Sequence, residues 1–220
     1  MTTSTIEKIK TLTELHGAPN FEHRVREYMK ASMTPYVDTF VYDRMGGFYG
    51  VKKSKNKNAK RVMVAAHMDE IGFMITEVTA QGLIKFTALG GVANDIWQGQ
   101  RLKILTQQNE EIIGVVANIP SHFRTGQEGA PRIEDLLLDI GESSKEDVLK
   151  RGVQLGDPIV PHTELLQLSE HRYAAKAWDN RYGCVIGLEL LEQLKDVELD
   201  FDLYVGANVQ EEVGLRGAEA

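Results

Sequence analysis

The feature that most constrains the fold of this chain is a change of pattern in its middle. Before residue 71 and after about residue 161, helix-like and strand-like segments alternate. Between them, short β-prone runs follow one another, separated by turn sequences such as Gln81-Gly82 and Gly90-Gly91. Short strands at this spacing are typical of a small barrel or sandwich. We therefore predict an α/β domain, residues 1–70 plus 163–220, with an inserted β-rich domain at residues 71–162.

In the α/β part, the apolar spacing predicts three helices. The first two begin at caps, at Ser4 or Thr5 and at Asn20, because these side chains accept hydrogen bonds from free backbone N–H groups. The third helix covers residues 179–194. The inserted part contains one more predicted helix, which begins at a capping box made by Ser143 and Glu146.

The predicted strands differ in character between the two parts. Residues 37–42 and 47–52 flank a glycine-containing turn and predict a hairpin. The continuous apolar run at 61–66 is typical of a strand buried on both faces, and 201–209 has the same character. The inserted part predicts a further set of short strands, at 71–78, 83–89, 101–106 and 111–119.

Composition excludes several classes of protein. The 220 residues carry 25 Lys plus Arg against 32 Asp plus Glu, a net charge of −7, which argues against a nucleic-acid partner. The basic run at 52–61 lacks aromatic residues, so we interpret it as a solvated loop. Cys184 is the only cysteine, which excludes an intrachain disulfide, favours a reducing cytoplasm and fits a core position. Neither a secretory signal nor a membrane span is recognisable, so we predict a cytoplasmic protein without a membrane partner.

Three clusters of polar residues follow predicted strands or precede a helix. His67 and Asp69 end the first buried strand, Asp179 precedes the third helix, and Glu211 and Glu212 end the last strand. Each cluster has an ordinary alternative: a polar loop, a helix N-cap or a solvated acidic pair. Ligand sites in α/β sheets gather at the carboxyl ends of strands. One histidine and several carboxylates at one edge therefore predict a dinuclear hydrolytic metal site, and phosphate-loop and serine-hydrolase motifs are missing.

Five sequence blocks carry a resemblance to a known family. They read AAHMDEIGFMI, PRIEDLLLDIGESSKED, GVQLGDPIVP, AWDNRYGC and NVQEEVGLRGA. In their order and separation, the chain resembles the dinuclear-metal glutamyl aminopeptidases, which include the TET aminopeptidases and members named cellulase or endoglucanase. The resemblance implies an α/β/α sandwich with an inserted dimerisation domain, and homo-oligomers in which dimers build a dodecamer.

The resemblance also implies roles for the candidate residues. His67 would bind one metal ion, Asp179 would bridge two, and Glu212 would bind the second. Glu211 would be the general base and Asp69 would orient His67. The implied cofactors are two divalent ions, zinc or alternatively cobalt or manganese. The peptide bond between Asp179 and Asn180 is expected to be cis.

The family pattern needs an Asp and a His beyond the glutamate pair, and this sequence contains neither. The other histidines considered, His122, His162 and His171, lie in or beside the inserted part without a recommending spacing. We therefore expect a metal-dependent aminopeptidase acting on peptides, present here as a truncated and impaired chain. Two alternatives stay open: a non-catalytic scaffold or regulatory fragment, and a glycoside hydrolase that uses Glu211 with Asp179.

Overall fold

A computed structural model of the chain describes residues 2–117 and 131–220, which form two compact units. One unit combines Met1–Glu70 with Glu164–Ala220, and the other is Ile71–Thr163. The helices are α1 (Thr3–Glu14), α2 (His23–Met33), α3 (Lys145–Lys150), α4 (Trp178–Gln193) and α5 (Arg216–Glu219). The strands are β1 (Thr39–Tyr42), β2 (Phe48–Lys52), β3 (Lys60–His67), β4 (Gly72–Val78), β5 (Ile84–Leu89), β6 (Arg101–Leu105), β7 (Glu111–Val116), β8 (Leu138–Asp139), β9 (Pro158–Pro161), β10 (Leu166–Ser169), β11 (Arg172–Ala174) and β12 (Phe201–Asn208).

The first unit is built on a four-stranded sheet with the order β1-β2-β12-β3. Strands β3 and β12 run parallel, in a register that pairs Phe201 with Lys60 and Asn208 with His67, so both strands end at one edge of the sheet. Helix α4 packs against β3 and β12, and α1 and α2 pack against α4. Their apolar side chains form one core, which includes Leu12, Val25, Met29, Phe48, Leu188, Leu191 and Val205.

The second unit is a closed six-stranded barrel with the order β4-β5-β8-β7-β6-β9. Aromatic rings fill part of its interior: Phe73 meets Trp97 edge-to-face at 4.8 Å between ring centroids. Alternate residues of β7 point inward, which leaves Ile113 and Val115 on the outer surface. The predicted fold class, an α/β domain with an inserted small barrel, is therefore confirmed. Strand β9 escaped sequence analysis because prolines stand at both of its ends and suggest turns.

Several predicted boundaries are wrong in instructive ways. Helix α1 is capped by Thr2, whose hydroxyl accepts from the N–H of Thr5 at 3.1 Å, rather than by Ser4 or Thr5. In α3 the cap is Ser144, not Ser143, because its hydroxyl reaches the N–H of Asp147 at 3.1 Å. The predicted strand at 111–119 ends at Val116, and its last two residues lie outside the described residues.

Asn20 is not a helix cap either. It has a positive φ of 72°, and Glu22 holds the N-cap position of α2. The Glu22 side chain makes no capping hydrogen bond there, because its carboxylate accepts from backbone groups elsewhere.

Strand β3 is not buried on both faces as its apolar run predicted. In the described part of the chain it is an outer strand of the sheet, with Val62 40% and Met63 60% exposed. An apolar composition shows that a strand is suited to the middle of a sheet, whereas its neighbours decide whether it lies there. Cys184, by contrast, lies in the core as predicted, and burial raises the pKa of its thiol to about 12. Over residues 2–117 and 131–220, no helix is long and apolar enough to cross a bilayer.

Candidate metal centre

The candidate site lies at the edge where β3 and β12 end together. His67 is paired with Asn208 there, and the N–H of Met68 donates to the Asn208 carbonyl at 2.9 Å. Asp69 follows one strand, and Glu211 follows the other. Parallel pairing thus brings together two sequence clusters that are more than 140 residues apart, as the strand-end rule predicts.

Asp69 joins the two loops through its carboxylate, which is fully buried. Its two oxygens accept the backbone N–H groups of Glu211 and Glu212, each at 3.0 Å. Burial disfavours its charge, but hydrogen bonding to His67 and to these two N–H groups outweighs burial and lowers the pKa of Asp69. Asp69 is therefore an ionised anchor that fixes the backbone of the glutamate pair.

His67 is buried and has both ring nitrogens occupied. Nδ1 lies 3.0 Å from the main-chain oxygen of Asp69 and 3.4 Å from its carboxylate. Nε2 lies 3.2 Å from the Asp179 carboxylate and 3.7 Å from that of Glu211. Since a carbonyl only accepts, Nδ1 carries the proton, and Nε2 faces the acidic groups. Burial opposes protonation, but the hydrogen bond to Asp69 and the charges of Asp69 and Glu211 prevail and raise the pKa of His67.

Three of the candidate side chains converge closely enough to share one ion. Single ligand atoms of His67, Glu211 and Glu212 all lie within 4.8 Å of one another. Partial burial, together with the charges of Asp69, Glu211 and Asp179, raises the pKa of Glu212 despite the opposing effect of His67. One imidazole and two carboxylates suit zinc, cobalt or manganese. The donor set therefore fits a divalent cation.

Asp179 approaches this group from the start of α4. Its side chain is 83% exposed and reaches His67, but it lies outside the three-residue group. The peptide bond between Asp179 and Asn180 is cis, as expected from the resemblance. Ala177 holds the N-cap position of α4, and both Asp179 and Asn180 have non-helical backbone angles, so the capping alternative for Asp179 is wrong.

A buried ionic network beside the site was missed by sequence analysis. Glu70 is ion-paired with Lys176 at 2.6 Å and lies 3.4 Å from Arg181, and all three side chains are at least 95% buried. Arg181 also donates to the main-chain oxygen of Met68 at 2.7 Å and to that of Leu12. The network joins the His67 loop to the start of α4. Nothing in the sequence around these three charged residues indicated that their side chains are buried.

Among the described residues, the ligand group consists of His67, Glu211 and Glu212. His171 is exposed next to Glu170. His162 follows β9 in the barrel unit, and His122 lies outside the described residues. The structure therefore offers the predicted strand-end residues as its candidate ligands.

Comparisons with known proteins agree with this architecture. Residues 46–220 match the family described as M42 glutamyl aminopeptidase. The glutamyl aminopeptidase of Lactococcus lactis subsp. cremoris is 42% identical over 217 residues, which are 97% of this chain and 61% of that protein. An aminopeptidase from the archaeon Desulfurococcus kamchatkensis has a TM-score of 0.92 at 36% identity, over 99% of this chain and 59% of its own.

A third match comes from the TET1 peptidase of Pyrococcus horikoshii, described as able to assemble into a tetrahedron or a large octahedral shell. Its TM-score is 0.87 at 30% identity, over 98% of this chain and 64% of its own. The chain thus spans about 60% of the length of the curated relative and of the solved structures it matches. On the family match and the shared architecture, the chain belongs to the M42 glutamyl aminopeptidase family.

Proposed function

We propose that this chain supplies a metal-binding part of an aminopeptidase site that removes N-terminal residues from peptides. The observation that carries the proposal is the convergence of His67, Glu211 and Glu212 within 4.8 Å. Membership of an aminopeptidase family supports the reaction class. Because the chain covers 61% of the Lactococcus relative, activity is proposed for a protein of the relatives' full length.

Each candidate residue has a task that its position allows. A bound divalent cation would supply a Lewis acid and lower the pKa of a bound water. His67 would hold one metal ion and Glu212 would hold a second, while Asp179 would bind both. Glu211 would accept the proton of the attacking water and return it to the leaving amine. Asp69 would fix the orientation of His67 and the backbone of both glutamates.

We further propose two ions in a complete site, zinc, cobalt or manganese, and impaired binding in the 220-residue chain. Titration calorimetry of this chain with Zn²⁺ should then give weak binding of at most one ion. The double variant Glu211→Ala/Glu212→Ala should abolish it, whereas Glu189→Ala/Glu192→Ala, an acidic pair on α4 bound to Lys8, should not. Tight binding of two ions would contradict impairment, and no Zn²⁺ binding would contradict a metal site in this chain.

The reaction is tested on a protein that carries this segment at the relatives' full length. It should release the first residue of a peptide that has a free amino terminus, and a chelator should abolish this activity. The same peptide with an acetylated amino terminus should not be hydrolysed. Glu211→Gln should abolish turnover with metal content unchanged. Loss of both together would mean that the roles of Glu211 and Glu212 are exchanged. Hydrolysis of a β-glucan that survives the chelator would favour the glycosidase alternative.

We also propose that the barrel unit mediates homo-oligomer formation, with dimers that build a dodecamer in the complete protein. The assembly described for the TET1 peptidase supports this proposal, as do Ile113 and Val115, exposed side by side on β7. The double variant Ile113→Lys/Val115→Lys should sediment as a smaller species, whereas Leu149→Lys on α3 should not. If the wild type and both variants sedimented equally, β7 would not be part of the interface. The cytoplasmic location stays a prediction.

A further inference from the structure

A second buried carboxylate lies beside the loop that carries the glutamate pair. Glu22 is 4% exposed, and its Oε1 accepts two backbone N–H groups. One belongs to Asn20, at 2.8 Å, and the other to Gln210, at 3.1 Å. Glu22 is far from Gln210 in sequence, so this contact ties the start of α2 to the residue that precedes Glu211.

Both residues that Glu22 holds have a backbone conformation that needs support. Asn20 has a φ of 72° and Gln210 a φ of 54°, in the left-handed region. For a residue other than glycine this conformation is unfavourable, and it persists where the surroundings impose it. The side chains reinforce the contact, since Gln210 Nε2 donates to Asn20 Oδ1 at 3.3 Å.

The consequence is a continuous set of fixed backbone groups. Glu22 holds the N–H of Gln210, and Asp69 holds those of Glu211 and Glu212. Two buried carboxylates thus determine where three consecutive residues lie, and thereby where both glutamate side chains begin. Groups that orient metal ligands in this way typically change metal affinity about 10–100-fold when they are lost.

We propose that Glu22 is a positioning residue for the Glu211–Glu212 pair and acts through the backbone of Gln210. The part of this proposal that concerns metal affinity rests on the proposed function. The part that concerns loop geometry does not.

The geometry allows the two properties of Glu22, its hydrogen-bond acceptor and its negative charge, to be tested in separate variants. Both N–H groups meet the same oxygen, so Glu22→Gln can keep both hydrogen bonds through its amide oxygen, while Glu22→Met keeps the length and loses the acceptor. A matched control is Asp157→Leu in the barrel unit, where a buried carboxylate accepts the N–H of Gln154 at 2.8 Å.

The experiment measures hydrogen exchange of the peptide covering residues 208–214 in the metal-free chain, and Co²⁺ affinity from the visible absorption of the bound ion. We expect Glu22→Met to speed exchange of this peptide and to weaken Co²⁺ binding about tenfold or more. Glu22→Gln should match the wild type in both measurements. Asp157→Leu should leave the 208–214 peptide and Co²⁺ affinity unchanged.

Two results would overturn the proposal: a folded Glu22→Met variant with wild-type exchange at 208–214, or a Glu22→Gln variant as impaired as Glu22→Met. If Glu22→Met does not fold, Glu22→Asp is measured instead, because its shorter side chain withdraws the acceptor oxygen by one methylene. Faster hydrogen exchange of the 208–214 peptide in this variant would support the positioning role, and unchanged exchange would refute it. A wild-type chain that binds no Co²⁺ would count against the proposed metal site, while the exchange results would still decide the role of Glu22.

Discussion

At the scale of single residues, similar acidic side chains behave differently because their surroundings differ. Asp69 receives two backbone N–H groups and faces His67, which lowers its pKa. Burial raises the pKa of Glu22, with a contribution from the charge of Asp69, against the effect of its N–H donors. Partial burial, together with the charges of three other carboxylates, raises the pKa of Glu212 as well. The site thus combines an ionised anchor, Asp69, with Glu212, whose charge is disfavoured and would be favoured by a bound cation.

Asp69→Asn should destabilise the chain by about 1–3 kcal/mol, because one amide oxygen cannot replace two carboxylate oxygens and one N–H of the glutamate pair loses its acceptor. Urea unfolding measures the loss. Asp139→Asn is the control, since this exposed carboxylate accepts a single N–H, from Gly141 at 2.7 Å, and should change stability by less than about 0.5 kcal/mol. Equal losses in the two variants would contradict the anchoring role of Asp69.

Glu22→Gln should gain stability relative to the wild type as pH rises. Because burial raises the pKa of Glu22 in the folded chain above its ordinary 4.5, ionisation favours the unfolded chain. The wild type therefore loses free energy of unfolding from about pH 4.5 up through the raised pKa, and the amide does not titrate. Urea unfolding of both proteins at several pH values tests this; a stability difference independent of pH would refute it.

Sequence analysis proposed His67, Asp69, Glu211 and Glu212 as site residues because each lies at or just after the end of a recognisable apolar strand. It missed Glu22, Glu70, Lys176 and Arg181, since their role depends on which distant segment each one meets. It also favoured the Asp69 carboxylate as the partner of His67, whereas the main-chain oxygen of Asp69 is nearer.

At the scale of elements, the start of α4 illustrates how a helix is held by more than its own hydrogen bonds. Ala177 has a positive φ of 53°, and Asp179 and Asn180, which flank the cis bond, are not helical. One turn later, Arg181 is fully buried and bound to Glu70 and to the main-chain oxygens of Met68 and Leu12. This helix has a low amphipathic character because apolar side chains also stand on its outer face, where Tyr182 and Ile186 are exposed.

Arg181→Met should destabilise the chain by about 3–5 kcal/mol, because Glu70 loses a buried partner and several carbonyl oxygens lose their donor. Arg151→Met is the matched control, since Arg151 pairs with Glu142 at the surface and should contribute less than about 1 kcal/mol. Thermal and urea unfolding give both values. Similar losses for the two variants would show that the buried network contributes little.

At the scale of the whole molecule, the outer strand β3 presents apolar side chains on its surface. Its residues suit the middle of a sheet, but Met63 and Val62 are exposed in the described part of the chain. Outer strands with apolar side chains and free backbone groups favour association between chains.

Met63→Lys should reduce self-association of the chain, because a charge on an outer strand disfavours pairing with another chain. The free energy of unfolding should change by less than about 0.5 kcal/mol, since the side chain is 60% exposed. Static light scattering over a concentration series measures association. The control is Met45→Lys, in the turn between β1 and β2, which should leave association unchanged. If both variants reduced association equally, the effect would come from the added net charge and not from the outer strand.

The residue pattern alone determined the α/β character, the inserted β module and the strand ends that carry the polar clusters, because period and strand composition are local properties. The tertiary structure decided which strands lie at the edges of the described sheet, that the β module closes into a barrel, and which carboxylates hold the loops of the site. These depend on pairing between segments as distant as Glu22 and Gln210. Such pairing follows from the packing of the whole chain, and no short stretch of sequence contains it.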